Sequence, residues 1–318
     1  MKIEVVVDVK PVLGEGPVWD VEQQRLYFID SLGRRVFRCT ADGTEVRAWT
    51  VPSAIGSMAL TRDGEGALVA LVDGIHTLDF GSGELMAVID PEPGMDGNRL
   101  NDGKVDRAGR FVFGSMNMAE TESSGRLYSL DSSWRLRVLD DGIICSNGPC
   151  WSPDDRRLYF ADSWAGEIWE YDYDVHLGEA THRRRFAALA SNGLGAHDGS
   201  TVDAEGYLWN AFVYEGKVAR FAPDGTLDRV IDTPVKKVTS VMFGGPDLDV
   251  LYVTSMAEPP LPRFPGDPAA RGSLFAITGL GVHGIPEPRF GGLIADAHTA
   301  RFEERGPAEH VATSGAHS

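Results

Sequence analysis

One unit repeats along the chain. An apolar anchor leads into a short turn with Asp, Gly or Pro, then a strand-like run, then a second strand-like run. The anchors fall at positions 19, 60, 105, 151, 202 and 243. In the first copy Trp19-Asp20 precedes Arg25-Leu26-Tyr27-Phe28-Ile29-Asp30 and Arg35-Val36-Phe37-Arg38. In the fourth, Trp151-Ser152-Pro153-Asp154-Asp155 precedes Arg157-Leu158-Tyr159-Phe160-Ala161-Asp162 and Glu167-Ile168-Trp169-Glu170-Tyr171. A period of 41 to 51 residues holds about four short strands, which is what one blade of a β-propeller needs. Sustained helical periodicity is absent, and Gly, Asp and Pro turns separate the runs. The expected fold is therefore all-β, a six-bladed β-propeller. Residues 1–293 are expected to form one domain and 294–318 a peripheral or disordered tail. The alternating run at 3–9 is expected to lend a strand to the last blade, closing the ring and hiding an edge.

A propeller brings equivalent positions of its blades to one axis. Four residues before each anchor stand Glu15, Gly56, Asn101, Asn147, Asp198 and Thr239. An offset of four keeps side-chain phase in an alternating strand, so these positions are expected to form a ring in the central channel. Their contexts agree: Gly14-Glu15-Gly16-Pro17, Leu100-Asn101-Asp102-Gly103, Ser146-Asn147-Gly148-Pro149 and His197-Asp198-Gly199-Ser200. Taken singly, Asn-Gly and Asp-Gly are ordinary turns. Four in register, one of them the un-turn-like Glu15, point to a shared task. Oxygen ligands of this kind suit a hard or borderline divalent cation. Glu15 and Asp198 would offset its charge and Asn147 would add a neutral oxygen, making the channel metal-binding. Asp198 is the candidate general base for an attacking water, and Arg99, two residues before Asn101, is a candidate oxyanion partner.

Composition narrows the partners. A net charge of −17 repels nucleic acid and anionic membranes, so neither is expected to bind. No run approaches the ~18 apolar residues of a membrane span, and the first ten residues carry no signal-peptide h-region. Cys39, Cys145 and Cys150 form no disulfide framework and read as small buried hydrophobes; a reducing, cytoplasmic compartment is expected. The proline-rich stretch 257–271 reads equally as a lid or as a harmless excursion. His298, His310 and His317 are too scattered for a metal site.

These motifs resemble the senescence-marker/regucalcin, gluconolactonase and luciferin-regenerating enzyme family. The likeness rests on Gly14-Glu15-Gly16-Pro17-Val18-Trp19, on Asn98-Arg99-Leu100-Asn101-Asp102-Gly103-Lys104-Val105-Asp106, on Ser146-Asn147-Gly148-Pro149, and on Asp198-Gly199 with Asp203-Ala204-Glu205-Gly206. The resemblance implies one divalent ion, calcium, zinc, manganese or magnesium, held by Glu15, Asn147 and Asp198. It implies substrate binding by Arg99 and Asn101, and by a further glutamate that the shortened segment 118–122 assigns to Glu122. The implied activity is hydrolysis of sugar lactones to aldonic acids, with a small-molecule lactone as the partner and a monomer or small homo-oligomer as the state. The sequence departs from the family at His197, where a proline is usual, and at Cys150. A phosphotriesterase-like hydrolase on the same site and a non-catalytic calcium-binding regulator remain as alternatives.

Overall fold

The computed structural model describes residues 1–188, 195–258 and 269–303. It is a six-bladed β-propeller of antiparallel sheets. Blade 1 consists of Gly14–Asp20, Arg25–Asp30, Arg35–Cys39 and Arg47–Thr50, innermost strand first. Blade 2 is Ile55–Leu60, Gly66–Leu71, Gly74–Asp79 and Leu85–Ile89; blade 3 is Asn98–Val105, Phe111–Asn117, Gly125–Leu130 and Arg135–Ile143. Blade 4 is Ser146–Trp151, Arg157–Asp162, Glu167–Asp174 and Glu179–Ala187; blade 5 is Ala196–Val202, Leu208–Val213, Lys217–Phe221 and Leu227–Asp232. Blade 6 takes Val238–Gly244, Val250–Ser255 and Leu274–Thr278 from late in the chain and its outermost strand, Lys2–Val7, from the start. Ile3 pairs with Ile277 and Val5 with Phe275, so the ring closes as expected.

Each anchor ends, or nearly ends, an innermost strand. The residue after it often caps the turn that follows. Asp106 accepts the backbone N–H groups of Ala108 (3.0 Å) and Arg110 (2.8 Å), and Asp203 those of Glu205 and Tyr207, both at 3.0 Å. These repeated aspartates are thus structural. Second strands supply the packing between blades: Tyr27, Phe28, Phe111, Phe113, Tyr159, Trp209 and Tyr252 are all buried. Full burial of one such side chain stabilises by about 1.5–3 kcal/mol.

Residues 279–293 contain no strand and cross the mouth where the anchors lie. The carbonyl of His283 accepts the N–H of Ala204 (2.8 Å), and the N–H of Gly284 reaches Leu248 (2.8 Å). Arg289 then binds Asp20 and Glu22, each at 2.7 Å, while the N–H groups of Phe290 and Gly291 reach the carbonyls of Leu60 and Gly109, each at 2.9 Å. One strap therefore ties the turns of blades 5 and 6 to those of blades 1, 2 and 3.

The tail begins as a 3-10 turn, Ile294–Thr299, and a two-residue strand, Arg301–Phe302, laid parallel along the outer strand of blade 3. Residues 304–318, with His310 and His317, lie outside the described residues, as does most of the proline-rich stretch (259–268). His298 is exposed and bonds locally to the carbonyl of Ala295. Among the described residues no helix is long and apolar enough to cross a membrane.

Deleting residues 1–7 removes the strand that closes the ring. A thermal melt is expected to show the midpoint lowered by roughly 5 °C or more, with faster aggregation through the bared edge of Leu274–Thr278.

Candidate active site

Every innermost strand is broken by one extra residue. The register against the second strand shifts between Glu15 and Val18, Ile55 and Ser57, Leu100 and Gly103, Asn147 and Cys150, His197 and Ser200, and Val238 and Val241. The residues expected to converge sit in or beside these β-bulges, which re-aim side chains that would otherwise face a neighbouring blade. The expectation that a four-residue offset preserves phase by unbroken alternation is thus corrected. Phase agrees between blades because the break recurs at the same place in each.

Glu15, Arg99, Asn101, Asn147 and Asp198 line one pocket at the mouth opposite the strap. Apolar walls come from Leu13, Met116, Trp164 and Met256. Asp198 and Asn147 are only 8% and 5% exposed. The amide of Asn147 is oriented by its neighbours: its Nδ2 donates to Ser163 Oγ at 2.7 Å, so Oδ1 is left for the channel. Asn101 Nδ2 donates to that Oδ1 (3.1 Å) and to the carbonyl of Ser146 (2.8 Å). Arg99 Nη1 in turn donates to Asn101 Oδ1 at 2.7 Å. Both donors of Asn101 are therefore engaged, and Asn101 works as a link that holds Arg99 beside Asn147.

Glu122 does not join them. It is exposed, whereas Glu120 lines the pocket. The strand Phe111–Asn117 ends in a tight turn in which the N–H of Glu120 bonds the carbonyl of Asn117 (2.9 Å), and Glu120 takes a left-handed φ of 57°. That turn carries Glu120 inward two residues sooner than the sequence reading placed it. His197 is fully buried. Its Nδ1 meets Asn210 Oδ1 at 2.7 Å, and Asn210 Nδ2 donates to the carbonyl of Asp198 at 2.8 Å. Burial lowers the pKa of His197, which favours the neutral ring. All three cysteines are free and buried, and Cys145 forms part of the pocket wall.

Charge in this channel is out of balance. Burial, followed by the charge of Asp102, holds the carboxyl of Glu15 well above the usual range; burial, then Glu15 and Asp102, does the same to Asp198. Burial lowers the pKa of Arg99, and Glu120, Glu15 and Asp198 oppose that shift. Fully ionised, Glu15, Asp102, Glu120 and Asp198 would exceed Arg99 and Lys104 by two negative charges. Among the described residues no three His, Cys, Asp or Glu side chains gather as a metal cluster. The donor set is two carboxylates and a carboxamide, all oxygen, and both its chemistry and its missing charge fit a divalent cation.

Residues 13–257 match the model of the SMP-30/gluconolactonase/LRE-like region. Regucalcin of Xenopus laevis is 34% identical over 298 residues, covering 92% of this chain and 99% of that protein. A 6-deoxy-6-sulfogluconolactonase of Pseudomonas putida is 34% identical over 291 residues, covering 91% and 99%. A solved luciferin-regenerating enzyme superposes with a TM-score of 0.86 at 29% identity, over 92% of this chain and 99% of that one.

Carboxylates whose pKa is raised by folding contribute stability only while protonated. That contribution is full below the unfolded values and is lost as pH rises from them through the folded ones. Protein stripped of cations is therefore expected to lose melting temperature as pH rises above the ordinary carboxylate values of 3.8 and 4.5. In Asp198→Asn the loss should be visibly smaller when melts from pH 4 to pH 8 are compared.

Proposed function

The chain belongs to the SMP-30/gluconolactonase/LRE-like family, and on that premise we propose that it is a divalent-metal-dependent hydrolase opening sugar lactones to aldonic acids. The observation that carries this reading is the meeting of Glu15, Asn147 and Asp198 with Arg99 in one pocket. The curated sulfogluconolactonase, similar over nearly its whole length, supports the same class of substrate. Glu15, Asn147 and Asp198 would hold the ion, which supplies Lewis-acid polarisation at the lactone carbonyl.

The remaining work falls to the chain's own side chains. Asp198 takes a proton from water as the water oxygen bonds to the carbonyl carbon, and returns one to the ring oxygen as the ring C–O bond breaks. Arg99 faces the negative charge that develops on the carbonyl oxygen, held in place by Asn101. Glu120, at the pocket wall, accepts hydrogen bonds from sugar hydroxyls. Leu13, Met116, Trp164 and Met256 limit bulk water, which strengthens each of these interactions. Three buried free thiols suit a reducing compartment, and we place the protein in the cytoplasm.

Proton release from a panel of aldonolactones tests this directly, with chelated protein refilled with calcium, magnesium, manganese or zinc. Turnover is expected to vanish on chelation and to return with at least one metal. Asp198→Asn should lower kcat by roughly 10²–10⁴-fold, with the melting curve still cooperative. Failure of every lactone with every metal would overturn the proposal. Arg99→Ala should cost about 10²-fold in kcat/KM; an unchanged value would remove Arg99 from the reaction.

A further inference from the structure

Two buried charged side chains beneath the pocket have no part in the steps above. Asp102 is 3% exposed and Lys104 is 4% exposed. Both belong to the innermost strand of blade 3, yet each acts on another blade. Asp102 Oδ1 accepts the N–H of its neighbour Gly103, and Oδ2 accepts the N–H of Gly148, both at 2.8 Å. Gly148 directly follows the candidate ligand Asn147, and its backbone is left-handed, with φ 59°. Lys104 Nζ donates to the carbonyl of Ser200, two residues after the candidate ligand Asp198. Ser200 Oγ and the carbonyl of Asp198 are joined in turn through Asn210 Nδ2, at 3.0 and 2.8 Å.

An ammonium beneath a cation site is costly twice over. It must be desolvated, and its charge repels the ion the site would hold. Asp102 offsets that charge, and Lys104 in turn opposes the burial that raises the pKa of Asp102. Neutrality alone would be met as well by an apolar pair. What an apolar pair lacks is the bonds to Gly148 and Ser200.

We propose that Asp102 and Lys104 are positioning residues for the ion site, a reading that rests on the divalent site proposed above. The carboxylate fixes the bulge behind Asn147 and the ammonium fixes the bulge behind Asp198. Together they set the separation of two ligands carried by adjacent blades. Asn101 belongs to the same assembly from above, since its carbonyl accepts the hydroxyl of Ser57 (2.7 Å) and its amide holds Asn147.

A charge role and a positioning role predict opposite signs. Removing the ammonium alone tightens cation binding if only its repulsion matters, and weakens binding if it places Asp198. The full chain, freed of metal with chelator, is titrated with manganese(II) by calorimetry as wild type, Lys104→Met and the double variant Asp102→Asn/Lys104→Met. The double variant keeps the net charge, but its carboxamide can accept only one of the two N–H groups that Asp102 accepts. Both variants are expected to bind manganese at least tenfold more weakly than wild type. Tighter binding by Lys104→Met, or wild-type affinity in the double variant, overturns the positioning role. If Lys104→Met alone does not fold, the double variant decides. A merely structural pair would lower the melting temperature in chelator and leave the affinity unchanged, which also overturns the proposal. Absence of binding by the wild type would instead remove the ion site on which the proposal stands.

Discussion

Crowding at the axis governs this molecule. Six strands converge on one line, and little volume remains for side chains between them. A methyl group at Gly148 would lie 2.5 Å from Ser200 Oγ, and one at Gly199 would lie 2.0 Å from Ser240 Oγ. Neighbouring blades are therefore in contact through backbone and hydroxyl at that level, and any larger residue must be aimed out of the plane. The bulge in each innermost strand does this aiming, and carboxylates and carboxamides reach the pocket because of it.

That crowding also explains the electrostatics. Burial withdraws Glu15, Asp102 and Asp198 from solvent together, so their charges act on one another through protein. If all of these carboxyls and Glu120 were ionised, the half-buried Arg99 and the buried Lys104 would answer only part of the negative charge. Full ionisation of these carboxyls would therefore leave excess negative charge beside the oxygen that Asn147 offers.

Much of this was legible in the sequence, for a physical reason. Blades are copies, so the anchors and the polar residues before them announce both the ring and its contents. The repeat brings Glu15, Asn101, Asn147 and Asp198 to one ring, Arg99 follows from its place two residues before Asn101, and all five line one pocket. The reason given for their shared phase was incomplete, since a bulge leaves no mark in a binary pattern of polar and apolar residues. Glu120 was missed in favour of Glu122 because a turn after blade 3's second strand, not a repeat, decides which glutamate turns inward. The strap and the two-residue strand at Arg301–Phe302 have no periodicity to read. Of the apolar pocket walls, Leu13, Trp164 and Met256 come from loops that differ from blade to blade, and Met116 from the end of a strand. Asp102 and Lys104 were in plain view in the motif, but their partners, Gly148 and Ser200, are 46 and 96 residues away.

The strap formed by residues 279–293 lies over one mouth of the channel, and the pocket lies at the other. Arg289, Phe290 and Gly291 bind the turns at one mouth, and the pocket opens at the other. Whatever occupies the pocket must leave by the door through which its successor enters. A spent molecule lingering in the well obstructs the next, so the rate of departure through that one opening sets an upper bound on how fast the well can be used.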